Sequence, residues 1–392
     1  MIAINKHIPV LIVGGGPVGL FLGISLLKKG INCRIIEQRK KVVPDSRSLG
    51  IHPVSLELFD ELDIVSSFLQ KGLPIKKGIA LSDTKELGTI SFHSCKKPYN
   101  YILSCPQFFT ETILRKELKK LNADVLITGT TFKAFREHPN NITTHYSTSE
   151  GNNHMLKSQF LVGCDGKNSA VRQHASIHYS GKRYPDTYIM GDFKDTTDFK
   201  HKAAVFLPPA GLIECFPLPN GMRRWVAKTD RYIPHPNKQL LADIIEKRIG
   251  YSLHNTKHVM LSSFGVQHYM AETLTKNNLF LAGDAAHVVS PIGGQGMNLG
   301  WIGAAKLAAI LSSVLSGRST PSRIADASST YTTTQTRLAN KVGRRAEINM
   351  RLGRKTSVPF IRNGIVRLML SAAFNAKTAQ FFTMRGLKQG WL

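Results

Sequence analysis

Acidic residues are scarce in this sequence: 26 Asp and Glu stand against 52 Lys and Arg in 392 residues, a formal net charge of +26 with His neutral. Such a field draws anionic cofactors, anionic lipid or nucleic acid toward the chain and says nothing about its fold. Cysteine is sparse too. The five thiols (Cys33, Cys95, Cys105, Cys164, Cys215) are odd in number, scattered, and never in a Cys-x-x-Cys or Cys/His spacing, which argues against a disulfide framework or a metal site and for reduced packing residues. Long apolar runs are missing near the start. Met1 to Val10 lacks a charged-then-apolar secretory pattern, and Val10 to Val13 meets three glycines at once, far too short to span a bilayer. A cytoplasmic protein is the expectation. No internal repeat appears, no basic and aromatic interleaving of a nucleic-acid module is present, and nothing resembles a nucleophile triad. Nucleic-acid binding is therefore disfavoured, and side-chain catalysis has no obvious seat.

What is present is a chain with 42% hydrophobic residues, long enough for a real core and more naturally two lobes than one. Val10 to Val13 reads as a buried strand, the glycines as a tight turn, and Val18 to Leu27 as a helix ending at Lys28, Lys29 and Gly30. Cys33 to Ile36 is the next strand, completing a βαβ unit. Short strands follow at Val125–Ile127, Thr131–Phe135, Ile142–His145 and Gln159–Val162. From Thr187 to Thr229 an alternating pattern broken by Pro208, Pro209, Pro217 and Pro219 suits an antiparallel sheet with turns. Leu279–Ala282 reads as a last buried strand. Thr320 to Thr336, rich in Ser and Thr, reads as a helix-connecting segment, and the tail from Lys341 as helices.

Two glycine-rich runs carry the chemistry. Gly14-Gly15-Gly16-Pro17-Val18-Gly19 fits Gly-x-Gly-x-x-Gly after a strand and before a helix, with Glu37 at the end of the following strand. Gly14 permits the tight turn, Gly16 lets backbone N–H groups approach a pyrophosphate, Gly19 allows close helix–strand packing, and Glu37 can accept a ribose hydroxyl. That fingerprint does not separate FAD from NAD. The second run does: a strand delivers Gly283-Asp284, and Pro291 then precedes Gly293-Gly294-Gln295-Gly296-Met297-Asn298-Leu299-Gly300 at the start of another helix. A carboxylate there can hold a sugar-like hydroxyl chain, and the helix start stabilises an anionic reduced flavin. Asp284 read as a mere helix N-cap accounts for neither Pro291 nor the glycines.

With Cys164-Asp165-Gly166-Lys167-Asn168-Ser169-Ala170-Val171-Arg172 between them, these runs resemble, in order and spacing, the three signature motifs of the group A FAD-dependent aromatic monooxygenases, the para-hydroxybenzoate and phenol hydroxylase type. The likeness covers roughly residues 8 to 315. Ser46 through Leu62 resembles the segment that brings an arginine, here Arg47, near FAD, and Pro106-Gln107 with Glu111 and Leu114 resembles a flavin-contacting helix start. The resemblance implies an α/β fold in which a Rossmann-type FAD domain (1–70, 101–175, 265–335) is interleaved with an antiparallel-sheet substrate domain (71–100, 176–264) and followed by a C-terminal helical region (336–392). It implies non-covalent FAD, NADH or NADPH as co-substrate, and O2 inserted into a small aromatic or polycyclic substrate through a flavin 4a-hydroperoxide. Cofactor contacts are expected from Gly14, Gly16, Pro17, Gly19, Glu37, Gln38, Arg47, Gln107, Asp165, Gly283, Asp284, Pro291, Gly294, Gly296, Met297 and Asn298, with Arg47 and Pro291 nearest the chemistry. Asp165 also reads as a turn former, and Arg172 equally as a helix anchor or a nicotinamide contact.

No side-chain base is singled out; His52, His287, Tyr184 and Tyr188 are candidates that also read as structural. Ile189, Phe206, Phe216 and Trp225 are candidate pocket residues, although alternating apolar residues in a sheet are more often core. The sequence departs from the family at Gly303, where relatives often carry an acid on the second helix, and the expectation is the shorter, two-domain type without the thioredoxin-like C-terminal domain of phenol hydroxylases. A flavin halogenase is disfavoured because Trp225, Trp301 and Trp391 form no Trp-x-Trp-x-x-Pro signature. A ubiquinone-pathway ring hydroxylase or other lipid-precursor flavin oxidoreductase is the alternative, since the tail Val358 to Phe374, apolar with Arg362 and Arg367, suits a membrane surface; from Arg337 onward twelve basic residues stand against the single acid Glu347. Peripheral contact with an anionic membrane is the partner that this tail suggests.

Overall fold

The computed structural model describes residues 8–44, 48–82, 85–317 and 321–387, with backbone alone over 321–324. Two eight-stranded sheets and a small three-stranded one organise them. In the first, Leu279–Leu281, Asn153–Gly163, Ile8–Val13, Cys33–Glu37 and Leu126–Thr128 lie side by side in parallel. The run Val10–Ile12 is fully buried, as a strand covered on both faces requires. Over it lies the helix Pro17–Lys28, whose Leu20, Phe21, Leu22, Ile24 and Leu26 are buried, and which stops at Gly30 in the left-handed region, φ 75°.

Three strands extend well beyond their apolar runs. Thr130–His138, Asn141–Thr148 and Asn153–Gly163 form an antiparallel meander whose outer residues are exposed. Only the end of the last strand, Ser158–Gly163, joins the parallel strands, between Ile8–Val13 and Leu279–Leu281. Hydrophobic runs mark what is buried, and these strands are held outside that zone by their ladders.

The second sheet runs, by strand, 287–288, 258–271, 179–194, 222–229, 213–218, 203–206, 77–81 and 86–91. It is antiparallel throughout except that Ala203–Phe206 pairs in parallel with Lys77–Leu81. Period-two alternation gives it two apolar faces. On one, Ile189, Phe193, Phe206, Ile213, Cys215, Trp225 and Ala227 pack against Leu241, Ala242 and Ile245 of the helix Lys238–Ile249. On the other, Tyr188, Met190 and Val226 meet Ile292, Met350 and Val366. This corrects part of the pocket expectation: Ile189, Phe206 and Trp225 are core under a helix, and only Phe216 sits on the opposite face.

A second correction concerns the Ser/Thr-rich segment, which from Pro321 onward belongs to one 33-residue helix, Pro321–Gly353. Tyr331, Gln335, Ala339, Val342, Ala346 and Met350 recur every three or four residues and are all buried, so a packed stripe overrides weak propensity. Pro359–Leu370 and Ala372–Phe382 follow. Among the described residues one helix, Gln295–Leu315, is long and apolar enough to cross a membrane. Ten of its residues, Trp301, Leu307 and Leu311 among them, are buried inside the protein.

Candidate active site

The glycines of the first turn have separable causes. Gly14 has φ +107°, and a Cβ there would lie 2.4 Å from the Cys164 carbonyl oxygen; a Cβ on Gly19 would lie 2.0 Å from the Gly14 carbonyl oxygen. Both are required by the packing of the turn on the neighbouring strand. A Cβ on Gly16 would meet nothing within 4 Å, so that glycine opens onto free space. Gly16 is the N-cap of the helix, offers no side-chain cap, and is followed by Pro17 with no acid in the first turn. The opening N–H groups are therefore left for an anion.

Behind this turn, buried Glu37 accepts the Gly15 N–H at 2.6 Å, and its other oxygen accepts the Arg39 backbone N–H and Nε at 2.9 and 3.1 Å. Gln38, next to it, is exposed. Gln107 begins the helix Gln107–Leu121 and donates to Glu111 at 2.8 Å. One turn further, the buried Nε and one NH2 group of Arg115 have no hydrogen-bond partner, nor has one oxygen of Glu111.

The second glycine run is pinned to the first. A Cβ on Gly300 would lie 2.6 Å from a Val18 methyl, Gly283 (φ +63°) also abuts Val18, and Trp301 Nε1 donates to the Pro17 carbonyl at 3.0 Å. These contacts set the starts of two helices side by side. Gln295–Leu315 likewise opens from a glycine, Gly294 (φ 66°), with no side-chain cap and no acid in its first turn. Gly294 N–H closes a turn on exposed Pro291 at 2.9 Å, and half-buried Gly296 and Met297 follow. Asn298 is buried and fully engaged: it accepts the His52 N–H at 2.8 Å and donates to the carbonyls of Gly50 and Gly294 at 2.9 and 2.8 Å. Asp284 is exposed to solvent yet set in a recess. Surrounding protein pushes its pKa up to about 6, with Lys167 drawing it down, and the solvent reaching the carboxyl offsets part of that rise.

Asp165 accepts the Val171 N–H at 3.1 Å, holding the short helix Ala170–His174; its other oxygen is buried without a partner, and burial raises its pKa. Arg172 donates to the carbonyls of Ala285 and Lys167 at 2.9 and 2.8 Å and stacks on Tyr179, 3.7 Å from the ring centre. It thus anchors through carbonyls rather than through a salt bridge. Arg47 lies outside the described residues.

The four candidate bases separate. Burial lowers both His52 and His287 to about 4; His52 Nε2 lies 3.1 Å from the Gly293 carbonyl and His287 Nε2 lies 3.0 Å from the Gln335 amide. Burial thus favours the neutral form of both rings. Tyr184 hydrogen-bonds Glu347 at 3.4 Å. Tyr188 is fully buried with an unpartnered hydroxyl, and burial raises its pKa.

Gly303 is explained by a residue the sequence did not single out. A Cβ there would lie 2.8 Å from the Gln335 amide nitrogen, and that amide donates to the Leu299 carbonyl at 3.0 Å. Support for the second helix comes from the long C-terminal helix instead of from an acid at 303.

Two uncapped, acid-free helix starts held together by glycine contacts fit the central pyrophosphate of FAD and its flavin, anionic when reduced, and the open space at Gly16 fits a group approaching the backbone closely. The FAD binding domain family model matches residues 7–346, and the chain belongs to that family. It is similar to an uncharacterized aromatic compound monooxygenase of Bacillus subtilis, 30% identical over 331 residues, covering 80% of this chain and 63% of that one. It is also similar to pentachlorophenol 4-monooxygenase of Sphingobium chlorophenolicum, 28% identical over 347 residues, covering 85% and 62%. The chain thus spans under two thirds of the length of these curated relatives. Its fold matches that of p-nitrophenol 4-monooxygenase from Pseudomonas putida DLL-E4 with a TM-score of 0.87, covering 98% of this chain and 99% of that one at 17% identity.

Proposed function

We propose that the protein is an FAD-dependent monooxygenase that uses NADH or NADPH and O2 to hydroxylate an aromatic substrate, phenol-like or polyketide-like. The observation that carries this reading is the pair of uncapped helix starts beside an apolar sheet face that Ile292, next to Pro291, helps to cover. FAD, when bound, supplies the hydride and oxygen chemistry for which no side-chain constellation is present among the described residues. Gly14, Gly16, Pro17 and Gly19 hold the pyrophosphate; Glu37 and Gln38 serve the adenosine ribose; Arg47, Gln107 and Asp165 flank the pyrophosphate and ribityl side. Gly283 and Asp284 take the ribityl hydroxyls, and Pro291, Gly294, Gly296, Met297 and Asn298 shape the flavin edge. The two large sheets support a division into FAD domain, substrate domain and C-terminal helices, although 265–271 and 287–288, within the stretch read as FAD domain, pair in the antiparallel sheet. The phenols in the relatives' names support the substrate class.

The test is direct. Purified protein should be yellow, release FAD on acid precipitation, lose FAD occupancy in Asp284→Ala, and oxidise NADH or NADPH faster with a suitable phenol, giving a product heavier by one oxygen. A colourless protein that takes up no flavin on reconstitution would sink the reading. Arg47→Ala should slow flavin reduction or weaken FAD; an altered hydroxylation position with both unchanged would move Arg47 to the substrate pocket.

Peripheral contact with an anionic membrane is the second reading. Phe360, Ile361, Ile365 and Leu368 are exposed on one side of the helix Pro359–Leu370, beside exposed Arg367, the amphipathic pattern of an interfacial helix.

A further inference from the structure

One face of the antiparallel sheet carries polar groups that the fold leaves uncommitted. Ala80, Val205, Glu214, Val226 and Met190 are cross-strand neighbours in a single row. All but Glu214 belong to the apolar cluster containing Ile292 and Met350, while Ile213 and Cys215 point to the opposite face. Alternation therefore turns Glu214 toward the Ile292 side. The two other carboxylates that these strands place on this face, Asp192 and Asp186, are paired. Arg224 grips Asp192 at 2.6 and 2.8 Å, and Asp186 takes Arg354 at 2.6 Å and Lys228 at 3.5 Å. Glu214 has no ion pair or hydrogen bond among the described residues, although it is only half-buried. Burial pushes its pKa up to about 7. The Tyr188 hydroxyl on the same face is buried without a partner, and Glu214 is the leading charge acting on it.

A half-buried carboxylate set among apolar side chains is destabilising unless water or a ligand donates to it. A second carboxylate brought there would be repelled; a hydroxyl or amino hydrogen would be welcomed. We propose that Glu214 and Tyr188 form the polar anchor of the substrate site, which takes an uncharged aromatic through a ring O–H or N–H and excludes aromatic carboxylates. The inference rests on the hydroxylase reading for the ring itself.

The test compares 2-naphthol with 2-naphthoate at pH 8, followed by the flavin difference spectrum of the FAD-loaded protein without NAD(P)H. Wild type should bind the naphthol at least about tenfold more tightly, the strength of a hydrogen bond to a charged group. Glu214→Gln, nearly isosteric, should shrink that ratio to about threefold or less at unchanged FAD content, and Glu214→Asp should retain part of it. Tyr188→Phe should weaken naphthol binding a few-fold. An unchanged ratio in Glu214→Gln, or a wild type that prefers the naphthoate or binds neither, overturns the anchor. NAD(P)H oxidation reports separately. If aromatic carboxylates accelerate it and are hydroxylated, the anchor falls and the hydroxylase reading stands. If naphthol binding follows Glu214 while no aromatic accelerates oxidation, the anchor stands and the hydroxylase reading falls.

Discussion

The two large sheets solve different problems. The parallel sheet is buried on both sides, and its site is made of backbone: glycines where a Cβ would strike a carbonyl, and helix starts left uncapped. The antiparallel sheet is made of side chains that alternate between a face sealed by the helix Lys238–Ile249 and a face turned to Ile292. A site built from main chain tolerates almost no substitution but recognises what many nucleotides share. A site built from side chains can be altered residue by residue while the opposite face holds the fold. On the proposed function, the parallel sheet would be the fixed cofactor end and the antiparallel sheet the adjustable substrate end.

The sharpest test of that contrast lies within one turn. Gly19→Ala would place a Cβ 2.0 Å from the Gly14 carbonyl oxygen, and should cost more than about 4 kcal/mol, enough to abolish soluble flavoprotein. Gly16→Ala meets nothing within 4 Å and has an ordinary φ of −77°. It should leave thermal stability within about 0.5 kcal/mol while reducing FAD affinity at least tenfold, measured by flavin fluorescence on reconstitution. Equal stability loss in both variants would show that the whole turn is structural.

The same contrast runs through the antiparallel sheet. Trp225→Ala, on the sealed face, should cost about 3–5 kcal/mol in urea unfolding. Glu214→Gln, in a neighbouring strand on the other face, should cost under about 1 kcal/mol or add stability, because it removes a desolvated charge. A large loss for Glu214→Gln would make that carboxylate part of the fold.

How much of this was legible follows from the same division. Gly14 to Gly19, Glu37, Asp284 and the 293–300 run stand out because backbone geometry demands specific residues at fixed spacings. Glu214 carries no such mark, since a glutamate in an alternating strand reads as a solvent-facing position until the sheet's second cover is known. Gln335 was hidden for a related reason. Its segment is poor in strong helix formers, and only the helix Gln295–Leu315, packed through Gly303 and Leu299, reveals the buried stripe. For Arg172 the sequence left a helix anchor and a nicotinamide contact equally open, and its carbonyl partners, Ala285 and Lys167, come together only in three dimensions.

Acid should expose the seam between the two halves. His52 and His287 are held at about 4 against an ordinary 6.5, so the unfolded chain takes up protons between these values that the folded chain refuses. These rings alone would lower stability as pH falls from about 6.5 toward 4, by about 2–3 kcal/mol per ring. Glu214 and Asp284, raised to about 7 and about 6, act in the opposite sense over the same range, because the folded chain takes up their protons first. One ring is therefore read as a difference: His287→Gln should lose less melting temperature than wild type between pH 7 and 4.5, and parallel curves for the two would mean that the ring accepts its proton in place.

A smaller effect is expected where the Gln295–Leu315 helix meets Gln335. Gly303→Ala should cost about 1–3 kcal/mol by crowding a hydrogen-bonded amide, and Gln335→Ala in the same chain should recover part of that cost by opening the space. Additive losses in the double variant would deny the coupling.

The least effect per residue is expected at the membrane. Of the large hydrophobic residues exposed among the described ones, Val358, Phe360, Ile361, Ile365, Leu368 and Phe374 crowd into one short stretch beside the antiparallel sheet, against scattered ones such as Leu121 and Met155 around the parallel sheet. Arg367 lies among them, and the sequence from Arg354 to Leu387 has no acid. Each basic residue near an anionic surface contributes about 1 kcal/mol, which falls as the Debye length shortens with salt. Binding to phosphatidylglycerol-containing vesicles should therefore weaken roughly fivefold in Arg367→Gln, fall steeply between 0.05 and 0.5 M salt as order-of-magnitude limits, and weaken further in Ile361→Ser. Phosphatidylcholine vesicles should bind far less. Equal binding to both vesicle types would remove the electrostatic part of the argument, and no binding to either would leave the exposed stripe to a protein partner and confine lipid contact to none of this surface.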